Sequence, residues 1–406
     1  MKSLAWACCA FLALACGSDD DVPSSGSGGS SSGGSAGVSG GGVTSGGSSG
    51  TGATTSGGAS GNAGTGGAAT GGSGGSGGSA GGPSCLTNAQ GIAVADVDLD
   101  GFPSYSVDDC QLAYVSANDK SLKLRDLTTG NELTIAPSSE NPRRPSLAGD
   151  VLAWEADVTG KSAVRVRHGG NSETLAGSFD HAVEPRATLD AVVFTGFLGP
   201  KADSDCDVFL YTTNDKAQKL VAGGKGQQRF ADVSATHVAV SDFSEDPSGV
   251  YGGDGTTLAN VIVVERATGT PAVRVRPGKQ AFPMLGSSGT LSFLEWTTVH
   301  PVPKLQEYTI KAVPLAALLG PDVLVASVSS DQAVRPTARA GLAEWVVRSN
   351  GKSALWRAAL DATTPPKEIA LGSVEVIHAP SSTSNMTVLA VRKPVGATPA
   401  LVAIPR

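Results

Sequence analysis

Three aspartates alternate with apolar residues in Asp96-Val97-Asp98-Leu99-Asp100-Gly101-Phe102-Pro103-Ser104. Carboxylates at the first, third and fifth places of a loop can converge on one hard cation, and glycine at the sixth allows the tight turn. Phe102 would add its carbonyl and Ser104 a hydroxyl or a bound water, so one structural calcium ion is expected here. Val107 stands where the bidentate glutamate of an EF-hand loop belongs, so that longer form is absent. A second set is cationic. Arg144, Arg186, Arg229 and Arg335, together with His378, recur near one place in a repeated segment. Gathered together they could clasp a carboxylate, uronate or phosphate group. The competing expectation is that they pair with Glu184 and neighbouring carbonyls and only hold the fold together.

Whether these side chains meet depends on the elements that carry them. Residues 144–154 read as a short strand, a Gly149-Asp150 turn and a second strand ending on Trp154. The pattern returns at 185–194, ending on Phe194, and at 336–345, ending on Trp345. Weaker copies end on Tyr114, Val240, Phe293 and Leu389. Successive anchors lie 40, 40, 46, 53, 52 and 44 residues apart. After each anchor come further runs with two-residue alternation, such as Ala163-Val164-Arg165-Val166-Arg167, bounded by Gly, Asn, Asp or Pro. Four short strands repeating every 40–50 residues or so mark an all-β, seven-bladed β-propeller, with a six-bladed ring as the alternative. The last repeat stops one strand short, and the strand Gly91 to Ala95 fills the gap, closing the ring and removing an open edge. Leu315 to Leu319, bracketed by Pro314 and Pro321, reads as a loop or strand elaboration rather than a helix. In such a ring the residue entering each innermost strand lies near one mouth of the central channel. That place falls to Arg144, Glu184, Phe230, Phe282, Arg335 and Ala379, with Arg186, Arg229 and His378 beside them.

The chain ahead of the repeats is of another kind. Residues 1–15 carry one lysine, an apolar run and a small residue before Cys16, the composition of a secretory signal peptide. Leu12-Ala13-Leu14-Ala15-Cys16 resembles the lipobox of bacterial lipoproteins. The resemblance implies cleavage after Ala15, acylation of Cys16 and, with Gly17 following, sorting to the outer membrane of a Gram-negative cell. Residues 16–84 form a Gly/Ser-rich segment too poor in apolar side chains to offset ordering, hence a disordered tether of about 45 Å root-mean-square span. The folded domain is then 85–406. Export favours disulfides; the nearer pair, Cys85 and Cys110, would pin the domain's start to the first blade and leave Cys206 over.

The blade pattern resembles that of the extracytoplasmic TolB-like propellers, in which a proline, an apolar residue, a Gly-Asp turn and an aromatic precede a strand ending in Thr-Gly. Pro145 to Trp154 and Leu127-Thr128-Thr129-Gly130 carry the likeness. It implies a propeller with a binding or scaffolding task. The Asp96 loop similarly resembles the FG-GAP calcium loop of integrin-type propellers, with Ser104 where an aspartate is usual. The chain holds 30 Lys and Arg against 37 Asp and Glu, a net charge of −7, with no basic run, so nucleic acid is a poor partner. Within residues 85–406 no His-Glu-x-x-His or Gly-x-Ser-x-Gly motif is present; the Gly-x-Ser-x-Gly matches lie in the low-complexity segment ahead of them. The expectation is a lipid-anchored envelope protein whose propeller binds a protein or glycan. The alternative is a uronate lyase, since some seven-bladed propellers cleave acidic sugars with His and Arg above the channel, and His378, His181 and Arg335 could imitate them.

Overall fold

The computed structural model describes Cys85 and residues 92–98, 104–175, 177, 179–199, 205–249, 259–274, 279–286, 289–298, 306–330, 334–350, 352–371, 375–376, 379–392 and 399–406. The signal and tether expected within residues 1–84 lie outside them. The repeats fold into seven antiparallel sheets that follow one another in chain order, so the ring has seven blades and the six-bladed alternative is excluded. The innermost strands of blades one to six are Tyr105–Asp108, Arg143–Ala148, His181–Ala187, Gln228–Val233, Lys279–Leu285 and Thr337–Arg339. Blade two shows how the sequence sets the pattern. Gly149, at φ 58°, turns the chain where a side chain would be strained, and Val151–Val158 returns with Ala153 opposite Ser146. Lys161–His168 and Asn171–Thr174 complete the sheet.

Blade seven is built from both ends of the domain. Its inner position is divided between Glu375–Val376 and Ser381–Ser382, both paired with Met386–Arg392, and Ala400–Pro405 follows. The fourth strand is Ile92–Asp96, antiparallel to Ala400–Pro405, with Ile92 opposite Ala403 and Asp96 opposite Ala400. The strand expected to close the ring therefore closes it, and the backbone groups of a free edge find partners. Cys85 is bonded to Cys110, between the first two strands of blade one, at a Cα separation of 5.3 Å. Cys206 is a buried free thiol that donates to the Gln228 carbonyl at 3.5 Å. Burial pushes its pKa up, and a thiol so placed is unreactive.

The apolar core lies largely between blades. Trp154 is fully buried in a cluster with Ala113, Val115 and Leu122 of blade one. Phe194 shares a cluster with Val151 and Val164 of blade two, and Trp345 with Leu294 and Ile310 of blade five. Tyr114 joins Met386 and Val388 of blade seven, carrying the packing around the ring. Each anchor thus covers the sheet that precedes it, and burying one such side chain stabilises the fold by about 1.5–3 kcal/mol. After the strand Gln306–Pro314 the chain makes a short 3-10 turn, Leu315–Ala317, where a loop or strand elaboration was expected. Pro314 allows the turn because its missing N–H falls where a helix start has no acceptor to offer.

Candidate functional site

The innermost strands of blades two to five share one irregularity. Their register shifts between Arg143 and Ser146, Val183 and Arg186, Arg229 and Asp232, and Ala281 and Met284. Each bulge holds a residue other than glycine in the left-handed region: Arg144 at φ 48°, Glu184 at 59°, and Phe230 and Phe282 at 53°. Such a backbone costs on the order of 1–3 kcal/mol per residue, and a bulge re-aims the side chain it carries. The four residues, with Arg335 and Ala379 from blades six and seven, line a central cavity of about 210 Å³.

Two of the sequence-identified arginines are engaged by carboxylates. Arg144 donates to Glu155 Oε1 at 2.7 Å, and Arg143 reaches Glu155 Oε2 at 3.1 Å. Glu155 Oε1 also accepts the backbone N–H of Glu184 at 2.6 Å, tying blade two to blade three. Arg229 donates to Glu184 Oε1 at 2.6 Å, while Glu184 Oε2 accepts the Phe230 N–H at 3.1 Å and the Thr195 hydroxyl at 3.2 Å. Burial pushes the Glu184 carboxyl up, but the guanidiniums of Arg229 and Arg144 outweigh it and hold the pKa at about 2. Arg144 and Arg229 therefore serve the walls of the cavity.

The other two arginines stand differently. Among the described residues neither Arg186 nor Arg335 forms a hydrogen bond or a close ion pair. Arg335 lies over the rings of Phe282 and Phe230, 5.2 and 5.7 Å from their centroids, and those rings are themselves 4.7 Å apart. This cation–π stacking fixes the guanidinium while leaving its N–H donors uncommitted. Arg186 is exposed by accessible surface, yet protein surrounds it, because the water it meets is that of the cavity. Those surroundings lower its pKa; Asp232 acts in the opposite sense, and Arg335 adds to the lowering. A guanidinium remains charged at neutral pH all the same. Two guanidiniums without a hydrogen-bonded carboxylate thus face a small cavity that Arg144, Arg339, Glu184 and Asp232 also line, and an anion is what the arginines can hold.

The remaining sequence-identified residues do not join this set. His378 lies outside the described residues. His181 accepts the backbone N–H of Ser162 on Nδ1 at 3.2 Å, which commits that nitrogen to the fold. In the Asp96 loop, Asp100 and Phe102 also lie outside the described residues. Asp96 is exposed, and Ser104 is buried with its carbonyl accepting the Val115 N–H at 2.8 Å. Asp98 pairs with the Lys120 ammonium at 2.8 Å. That ammonium supplies the positive charge a calcium ion would bring, so the described donors fit the ion poorly. Calcium or a chelator is accordingly expected to leave the melting temperature unchanged, as differential scanning fluorimetry would show; a calcium-dependent rise would restore the cation to this loop.

No known protein-family model matches this chain, and no curated protein is similar to it in sequence. Solved structures are similar in fold. The β-propeller domain of the Trilobed protease from Pyrococcus furiosus superposes with a TM-score of 0.54 at 11% identity, over 74% of this chain and 94% of that one. The acylaminoacyl peptidase of Pyrococcus horikoshii gives 0.55 at 11% identity, over 75% of this chain and 51% of that one, so this chain spans about half the peptidase. An oligogalacturonate lyase in complex with manganese gives 0.51 at 10% identity, over 78% of this chain and 96% of that one. Structures of TolB superpose less well, with TM-scores of 0.39 and 0.40. At identities this low the shared property is the fold, and what this chain is similar to is the β-propeller as such.

Proposed function

We propose that this chain is a non-catalytic binding module of the bacterial cell envelope, whose propeller takes an acidic group of an envelope protein or glycan into its central cavity. The observation that carries this reading is the pair of guanidiniums, Arg186 and Arg335, that line the central cavity with no hydrogen bond or close ion pair among the described residues. A planar fork that is already charged and already held in place recognises a carboxylate with little loss of side-chain freedom. The bulges support the reading as well, since strain repeated in four blades at one level of the channel is the kind of feature that accompanies a site. In this proposal acylated Cys16 holds the protein on the outer membrane and residues 16–84 set its reach.

Titration calorimetry with trigalacturonate and with an acidic peptide tests the reading. One or both are expected to bind the full chain at a single site. Replacing both arginines, Arg186→Gln with Arg335→Gln, is expected to weaken that binding by at least about a hundredfold, given about 1.5–3 kcal/mol for each charge-assisted contact. Equal binding by the double variant would refute it. Formation of an unsaturated uronate product during the titration would instead favour the lyase alternative.

A further inference from the structure

Two residues further along each innermost strand, a second set of side chains lines the same cavity. Ser106 Oγ accepts the Leu147 N–H at 3.0 Å, Ser146 Oγ accepts the Ala187 N–H at 2.9 Å, and Ser381 Oγ accepts the Val107 N–H at 3.0 Å. Each bond joins one blade to the next: seven to one, one to two, two to three. All three serines line the central cavity, as does Arg186, which holds the same place in blade three. A hydroxyl oxygen that accepts a backbone N–H still has its own hydrogen to donate. Among the described residues none of the three serines spends that hydrogen on another group. Blade four then changes the chemistry at this level. Asp232 performs the same stitch, its Oδ2 accepting the Leu285 N–H at 2.7 Å, but a carboxylate has no hydrogen to give.

We infer that Ser381, Ser106, Ser146 and Arg186, contributed by four consecutive blades, form an arc of hydrogen-bond donors that binds the oxygens of an oxyanion, a carboxylate or an inorganic phosphate or sulfate group. The inference rests on the anion-binding reading given above and deepens it, adding three residues that the arginine pattern did not reveal. Such an arc is expected to favour an oxyanion over a simple halide: several convergent donors match the lone pairs of two or more oxygens, whereas the guanidiniums alone would attract any anion. Asp232, on the blade next to Arg186, repels the ligand and so biases it toward the serines.

The blade-four aspartate supplies the test. Ser106→Asp and Ser146→Asp keep an acceptor for the backbone N–H, as Asp232 does, but remove a donor and add a negative charge. Ser146→Asn keeps both an acceptor and a donor. Calorimetry on the full chain would use D-galacturonate, inorganic phosphate and sulfate in separate titrations, with chloride as the control anion. Each aspartate variant is expected to lose affinity by about tenfold or more, from like-charge repulsion and the lost donor, while Ser146→Asn, which keeps a donor and adds no charge, loses less. The anion that binds most tightly to the parent names the source of the oxyanion. Aspartate variants that bind within about twofold of the parent would overturn the arc while leaving the arginine reading intact. A parent protein that binds none of these anions would overturn both. If the aspartate variants fail to fold, competition on the parent decides: galacturonate or phosphate that chloride at equal concentration does not displace supports the arc, and displacement by chloride at equal concentration refutes it.

Discussion

Removing the chain through Asp96 is expected to bring the domain to the edge of unfolding. The truncation takes away the strand that pairs with Ala400–Pro405 and the bond between Cys85 and Cys110. A disulfide contributes about 2–4 kcal/mol, and the lost backbone hydrogen bonds about 0.5–1.5 kcal/mol each. Their sum is comparable with the whole net stability of about 5–15 kcal/mol typical of a folded protein. The truncated chain would also present Ala400–Pro405 as an open edge, which recruits other chains. Thermal unfolding should show a broad transition at much lower temperature, with light scattering revealing association. A synthetic peptide spanning 91–98 should partly reverse both. An unchanged melting temperature in a monomeric truncated protein would mean that the ring does not depend on this seam.

Glu184→Gln is expected to remove about 3 kcal/mol of stability at neutral pH and to flatten the acid limb of the stability profile. The folded-state pKa of about 2 lies below the ordinary value of 4.5. A depressed carboxylate contributes stability that is fully present above about pH 4.5 and is lost as pH falls toward 2. The difference corresponds to about 3 kcal/mol at about 1.4 kcal/mol per unit. The group is 10% exposed, so solvent screens it little. The amide leaves Arg229 and Arg144 without this counter-charge in the cavity wall. Urea unfolding at a series of pH values from 2 to 7 would measure the effect, and a variant whose acid limb matched the parent's would remove Glu184 from this role.

The parts of the fold that were legible in the sequence are those fixed by burial. Trp154, Phe194 and Trp345 recur because each must cover the sheet before it, and a large apolar residue at a constant place in a repeat can be read without coordinates. The closing strand was legible for a related reason: the last repeat lacked one strand, and an alternating segment was available ahead of the first. The cavity was only half legible. Pairing with Glu184 stood as an alternative in the sequence, and Arg229 takes it; that Arg144 is occupied could not be read, because Glu155 meets Arg143 and Arg144 only through the cross-strand register of blade two, shifted by a bulge. The left-handed residues carried no glycine to announce them; arginine, glutamate and phenylalanine stand there instead, held by the strands on either side. Ser106, Ser146 and Ser381 each stand eight residues before an anchor, as do Arg186 and Asp232. A serine in a strand says little by itself, and only the shared level in the channel shows what the set has in common.

The sulfur bridge at the domain's start also decides where a pull would be felt. Tension on the chain ahead of Cys85 passes through Cys110 into the first hairpin of blade one, Tyr105–Asp108 with Gln111–Val115, and bypasses the strand that seals blade seven. A strand dragged from its own end unzips one bond at a time, whereas this one is left slack. A pull on the chain ahead of Cys85 would therefore leave the seam of blade seven unloaded.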